Sequence, residues 1–270
     1  MYQTYIFDLY ETLLDIHTDE DSLFFWTKMA DLYACYGAVY DPEEMKDMYR
    51  KFCREEEIKT KKEGITYPEI DLTAVFERLL KEAPSAVCVP YSIASMKRWS
   101  GMIANTFRVL SRDRLKPYKN VLETLQKLKD EGKRIILCSN AQAAFTETEL
   151  AVTGLTDYFD GIYLSSDYGV RKPDRLFLDY VVKNEKLNVK ECLFIGNDFV
   201  SDISMAYACG MDSAFLNTYR FSEERIHEEI ETIRTDEEIR IHVIQDIKEL
   251  PAIKKGESRY GEMAERRSIL

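Results

Sequence analysis

Short, continuous apolar runs bounded by polar residues recur through the second half of the chain, at 134–140 (RIILCSN), 161–165 (GIYLS) and 192–196 (CLFIG). Runs of this length without polar alternation fit strands of a parallel sheet covered on both faces. Helical spacing fills the intervals, over 119–131, 141–152, 174–185 and 201–209. In the first of these, Val121, Leu122, Leu125 and Leu128 share one face. Strand alternating with helix predicts βαβ units and a doubly wound parallel α/β sheet. The N-terminal 4–10 (TYIFDLY) reads as a further strand, and so does 212–217 after Gly210.

Residues 16–116 break the alternation. Leu23, Trp26, Ala30 and Tyr33, then Met45, Met48, Tyr49 and Phe52, fall at helical spacing, with interruptions near Pro42, Pro68 and Pro84. Four or five helices are predicted there, as a helical domain inserted into an α/β core. The core is then 1–15 and 117–250, the insert 16–116, and 251–270 a polar C-terminal tail. The aromatic positions of the insert read as its core, with a substrate-lining role as the alternative. Residues 221–240 read as a charged amphipathic helix or helix pair with a solvated face.

Composition narrows the class. A length of 270 residues with 45% hydrophobic and 31% charged positions suits one large domain or two modest ones. No apolar run approaches the ~20 residues that span a bilayer, and the N-terminus lacks the basic segment of a secretion signal. No membrane partner is expected, and the cytoplasm is the expected location. Six cysteines show no C-x-x-C spacing, and Cys138 and Cys192 lie in apolar runs, as small buried hydrophobes do. The net charge of −11 argues against a nucleic-acid partner. An anionic small molecule would need positive charge concentrated locally. No pattern speaks to oligomeric state.

Four groups of polar residues fall at the C-terminal ends of the predicted strands, where open α/β sheets bind ligands. They are Asp8 with Thr12, Ser139-Asn140, Lys172-Pro173-Asp174, and Gly196-Asn197-Asp198 with Asp202. Strand ends converge in a parallel sheet, so a carboxylate, a hydroxyl, an ammonium and an acidic pair would meet in one crevice. Each also has a plain reading: Asp and Ser-Asn cap turns and helices, and Lys-Pro-Asp opens one.

The ordered set Asp-x-x-x-Thr, Ser-Asn, Lys-Pro-Asp and Gly-x-Asp-x-x-x-Asp resembles the haloacid dehalogenase-like hydrolase superfamily over 2–13 and roughly 117–217. The resemblance implies a Rossmann-like core with a helical cap at 16–116. It implies a hydrolase, above all a Mg²⁺-dependent phosphatase of a small phosphorylated metabolite. Asp8 would be the nucleophile, Ser139 and Lys172 its catalytic partners, and Thr12 and Asn140 substrate-binding. Asp8, the Tyr10 carbonyl, Asp198 and Asp202 would hold the metal.

Three positions depart from the family pattern. Phosphatases of the family carry an acid/base aspartate where this chain has Tyr10, and a phenol is a poor base at neutral pH. Tyrosine there resembles the metal-independent 2-haloacid dehalogenase branch, an alternative activity; a site retained only for binding is another. Glu11 stands where the family has glycine: it supplies the missing acid/base group, or the backbone there needs no positive φ. Either Asn197 or Asp198 takes the first metal position of the last motif. His17, near the junction with the insert, is either a proton donor or solvated.

Overall fold

The apolar runs of the second half form strands β6 (Arg134–Ser139), β7 (Gly161–Leu164), β8 (Cys192–Gly196) and β9 (Asp212–Leu216) in the computed structural model. With β1 (Thr4–Phe7) and β10 (Ile241–Ile244) they make a six-stranded sheet of order β10-β9-β8-β1-β6-β7. Every pairing in it is parallel. The structure describes residues 1–86, 93–233 and 238–256.

Successive side chains of a strand point to opposite faces, and each face has its own apolar cluster. Tyr5, Phe7, Leu137, Leu193 and Ile195 pack on one side with Leu125 and Leu128 of α5 (Val121–Asp130). Ile6, Ile136 and Phe194 pack on the other with Phe177, Leu178 and Val181 of α8 (Arg175–Asn184). Covering both faces is what uninterrupted apolar strands require. The remaining core helices are α6 (Ala143–Val152), α7 (Ser165–Tyr168), α9 (Ser204–Ala208) and α10 (Glu223–Ile233).

The insert contributes α1 (Leu23–Ala34), α2 (Pro42–Thr60), α3 (Leu72–Lys81) and α4 (Met96–Ser111), with a small pairing of β3 (Ala38–Val39) and β4 (Ser85–Ala86). Asp41 caps α2 through Glu43 N at 3.0 Å, with Pro42 at the first helical position. The helices share an aromatic core that includes Phe25, Trp26, Tyr33, Phe76 and Phe107, so most of the aromatic stripe is packing, while Phe24 is 69% exposed.

Several segments differ from their sequence reading. Residues 14–18 and 112–117, at the edges of the expected helical region, are strands β2 (Leu14–Thr18) and β5 (Arg112–Pro117), paired antiparallel. His17 lies on this ribbon, exposed, with Nδ1 3.0 Å from Asp113. Ile253, placed in the polar tail, is 1% exposed and packs in the sheet's core. The rest of that tail, 257–270, lies outside the described residues, as do 234–237 of the charged segment. Helix α10 is not wholly solvated, because Ile226 and Ile230 are buried beside Phe215. No described helix is long and apolar enough to cross a membrane.

Candidate active site

Asp8 follows β1 directly, and β1 is flanked by β6 and β8, so three strand ends meet around its carboxylate. The Asp8 N–H donates to Ile195 O at 2.9 Å, which continues the β1–β8 ladder up to the site. Ser139, the last residue of β6, donates from Oγ to Asp8 Oδ1 at 3.1 Å. Lys172 Nζ donates to the same oxygen at 2.6 Å and to Asp202 Oδ1 at 2.7 Å. Thr12 Oγ1 lies 3.0 Å from Asp8 Oδ2 and 2.9 Å from Asn197 Oδ1. All six side chains (Asp8, Thr12, Ser139, Lys172, Asn197 and Asp202) belong to buried residues.

Two further contacts hold Lys172 in place. Asn140 accepts from Lys172 N at 2.8 Å and donates to Lys172 O at 3.0 Å, so its side-chain amide is spent on the lysine's backbone. Gly196 makes room for Asp202: a Cβ there would come 2.3 Å from the Asp202 carboxyl carbon. Asp202 accepts a second bond from Asp198 N at 3.1 Å. Burial pushes the Asp202 carboxyl up to about 7, against the opposing pull of the Lys172 ammonium. Burial would lower Lys172, but the Asp202 and Asp8 carboxylates outweigh it and raise it above its ordinary value.

The last motif divides between its two candidates. Asn197 is buried and its Oδ1 faces Thr12, whereas Asp198 is exposed and accepts from Ser201 N at 2.5 Å as a helix cap. Asp198 therefore does not join the cluster, contrary to its expected place among the metal ligands; an Asp at a helix start is the signal that separates the two. Asp202 has both oxygens engaged by Lys172 and a backbone N–H. Among the described residues no three His, Cys, Asp or Glu side chains group to hold a metal. What remains is a mixed oxygen set. Thr12 has one hydroxyl proton for two acceptors, so either Asp8 Oδ2 or Asn197 Oδ1 keeps an unserved lone pair. The Asp8 and Asp202 carboxyl groups also share a single ammonium, Lys172. Hard oxygen donors that include a carboxyl group fit Mg²⁺, which takes one or two carboxylates and completes its shell with water or phosphate.

The Tyr10 side chain is held elsewhere. Its hydroxyl donates to Glu149 and lies 2.9 Å from Thr146 Oγ1, both on α6. The Arg108 guanidinium of α4 lies 5.0 Å from the Tyr10 ring centre. Arg108 and Arg112 both reach Glu149 Oε1, at 2.9 and 2.5 Å. Burial, then the Glu149 carboxylate, raise the Tyr10 phenol well above its ordinary value. Glu11 takes φ +60°, so this turn does need positive φ, and its carboxylate accepts from Tyr118 Oη at 2.9 Å. Tyr219, which sequence reasoning missed, contacts Asn197 from the loop after β9. Nothing local marks Tyr219, or the Arg108–Glu149–Arg112 cluster, because these residues meet only through the fold.

A family model for haloacid dehalogenase-like hydrolases matches residues 2–210. The chain belongs to the haloacid dehalogenase-like hydrolase family. This member is similar to a glyceraldehyde 3-phosphate phosphatase from Methanothermobacter thermautotrophicus, 28% identical over 139 residues, 52% of this chain and 59% of that one. It is also similar to a phosphoglycolate phosphatase from Pectobacterium atrosepticum, 31% identical over 138 residues, 46% and 58% of the two chains. Each match spans less than two thirds of the relative's length. A 2-haloacid dehalogenase from Pseudomonas syringae pv. Tomato superposes with a TM-score of 0.61 at 17% identity, over 93% of this chain and 97% of that one. A phosphatase of the same family from Thermococcus onnurineus gives 0.52 at 18%, over 95% and 99%. The shared fold thus covers both dehalogenases and phosphatases, and this hydrolase must be read from its site.

Proposed function

We propose that this chain is a Mg²⁺-dependent phosphatase of a small phosphorylated metabolite, acting through an aspartyl-phosphate on Asp8. The supporting observation is the Asp8 carboxylate held between Lys172 and Ser139, with the Asn197 oxygen beside it. The likeness in sequence to chains named as phosphatases agrees with this reading. An Asp8 oxygen attacks phosphorus, an O–P bond forms, and the bond to the leaving oxygen breaks as that oxygen takes a proton from water. Water then attacks the acyl phosphate, releasing inorganic phosphate and restoring the carboxylate. Lys172 and Ser139 stabilise the charge that builds on the phosphoryl oxygens. Asn140 positions Lys172, and Thr12 orients Asp8. Asp8 and Asn197 would hold Mg²⁺, which when bound draws negative charge from the phosphoryl group. The helical insert would act as a cap that excludes water. Phosphate release from a panel of esters tests the reading: Asp8→Asn should fall to background, and retained turnover would end it.

Tyr10 favours a second reading, metal-independent hydrolysis of a carbon–halogen bond. A departing halide needs no proton, so an acid at position 10 would be superfluous. Halide release from 2-chloropropionate that persists in EDTA would select this activity, and dependence on Mg²⁺ would exclude it.

A further inference from the structure

A cavity of about 620 Å³ opens beside the reaction centre, between the loops after β9 and β10 and the start of α5, with Thr12 in its wall. Its size is that of a small-molecule site. Lys119 and Arg220 line it, both exposed, and neither has an ion-pair partner among the described residues. Asp246 also lines it; its carboxylate accepts from the Asn120 amide at 3.0 and 2.8 Å and forms its ion pair with Lys248 Nζ at 3.4 Å rather than with Lys119 or Arg220.

Thr218 lines the same cavity, and its Oγ1 is buried with no hydrogen-bond partner among the described residues. A buried hydroxyl without a partner costs stability unless something polar meets it. The ten-residue helix α5 begins here without a side-chain cap: Asn120 has left-handed backbone (φ +66°), and its side chain is turned to Asp246, to which Nδ2 donates. Two unpaired cations, an orphan hydroxyl and an uncapped helix start all favour an anion. Leu216 and Ile247 supply buried apolar surface for the rest of a ligand.

We propose that this cavity is a second anion site, taking a small organic phosphate, separate from the Asp8 centre and sharing Thr12 with it. Lys119, Arg220 and Thr218 bind the phosphate, and Leu216 and Ile247 pack its carbon skeleton.

Equilibrium dialysis of the full chain against labelled inorganic phosphate, and of an Asp8→Asn chain against glycerol 3-phosphate, tests this. Lys119→Gln combined with Arg220→Gly should bind one ligand fewer per chain, or bind it about tenfold more weakly. Glycine suits position 220, where φ is +54°, so the double variant should keep the parent's melting midpoint. Thr218→Val should weaken the same site about threefold or more. Equal stoichiometry and affinity in parent and variants would overturn the proposal, as would a parent that binds neither probe. These outcomes are independent of turnover, so the phosphatase reading and this site can fail separately.

Discussion

Tyr10 stands two residues past Asp8 and is anchored to Glu149 and Thr146 on α6. Its raised pKa removes it from proton transfer at neutral pH. Tyr10→Phe is expected to cost about 1 kcal/mol in denaturant unfolding, through the lost hydrogen bond, and to leave kcat on a phosphate ester within about twofold; a drop of about 100-fold, the scale of lost acid–base catalysis, would restore the phenol to the chemistry. Ser139→Ala should lower kcat by roughly 10²–10³, the usual cost of one donor to a developing oxyanion. At this scale Asp8, Thr12, Ser139 and Lys172 were legible as a group because each falls at or beyond the C-terminal end of a strand within an ordered motif. The choice between Asn197 and Asp198 was not, since adjacent residues leave a strand in different directions and only the turn decides which faces inward.

Packing between elements gives Gly196 its meaning. The end of β8 and the buried Asp202 are so close that a methyl group at 196 would overlap the carboxyl. Gly196→Ala should displace Asp202 from Lys172, cost about 1–3 kcal/mol as an overpacked site does, and depress turnover more than Ser139→Ala. Unchanged kcat in that variant would mean that Asp202 does not support Lys172. The apolar strands of the sheet were readable because burial on both faces leaves an unbroken apolar run. The β2–β5 ribbon was not. Its strands carry Asp15, His17, Arg114 and Lys116, are half-exposed, and pair with each other across the whole insert. An ion pair from Arg114 Nε to Asp15 Oδ1 at 2.7 Å is invisible to any local window.

Over the whole molecule, insert and core are joined by Arg108, Arg112 and Glu149, with the carboxylate 2% exposed. Glu149→Ala leaves two largely buried cations without their partner, and a loss of about 3–5 kcal/mol is expected; a loss under about 1 kcal/mol would mean that the arginines find other anions. If the proposed phosphatase activity holds, EDTA should abolish turnover and Mg²⁺ restore it, while halide release, if any, should be unaffected. The −11 net charge leaves anion binding to local charge: Lys172 is already shared between Asp8 and Asp202, so under the proposed function Mg²⁺ held by Asp8 and Asn197 would supply the remaining positive charge.

The chain enters the insert through β2 and returns through β5, two hydrogen-bonded neighbours closed off by Asp19 N to Ser111 O at 2.7 Å. The insert therefore hangs from a single stem whose two ends already touch. Such a stem is a natural splice point: a short hairpin turn from Thr18 to Arg112, or a foreign domain grafted there, would leave β1, β6 and β8 and their terminal residues where they are. Replacing the insert at this stem would therefore alter what is attached to the sheet without moving Asp8, Ser139 or Asp202.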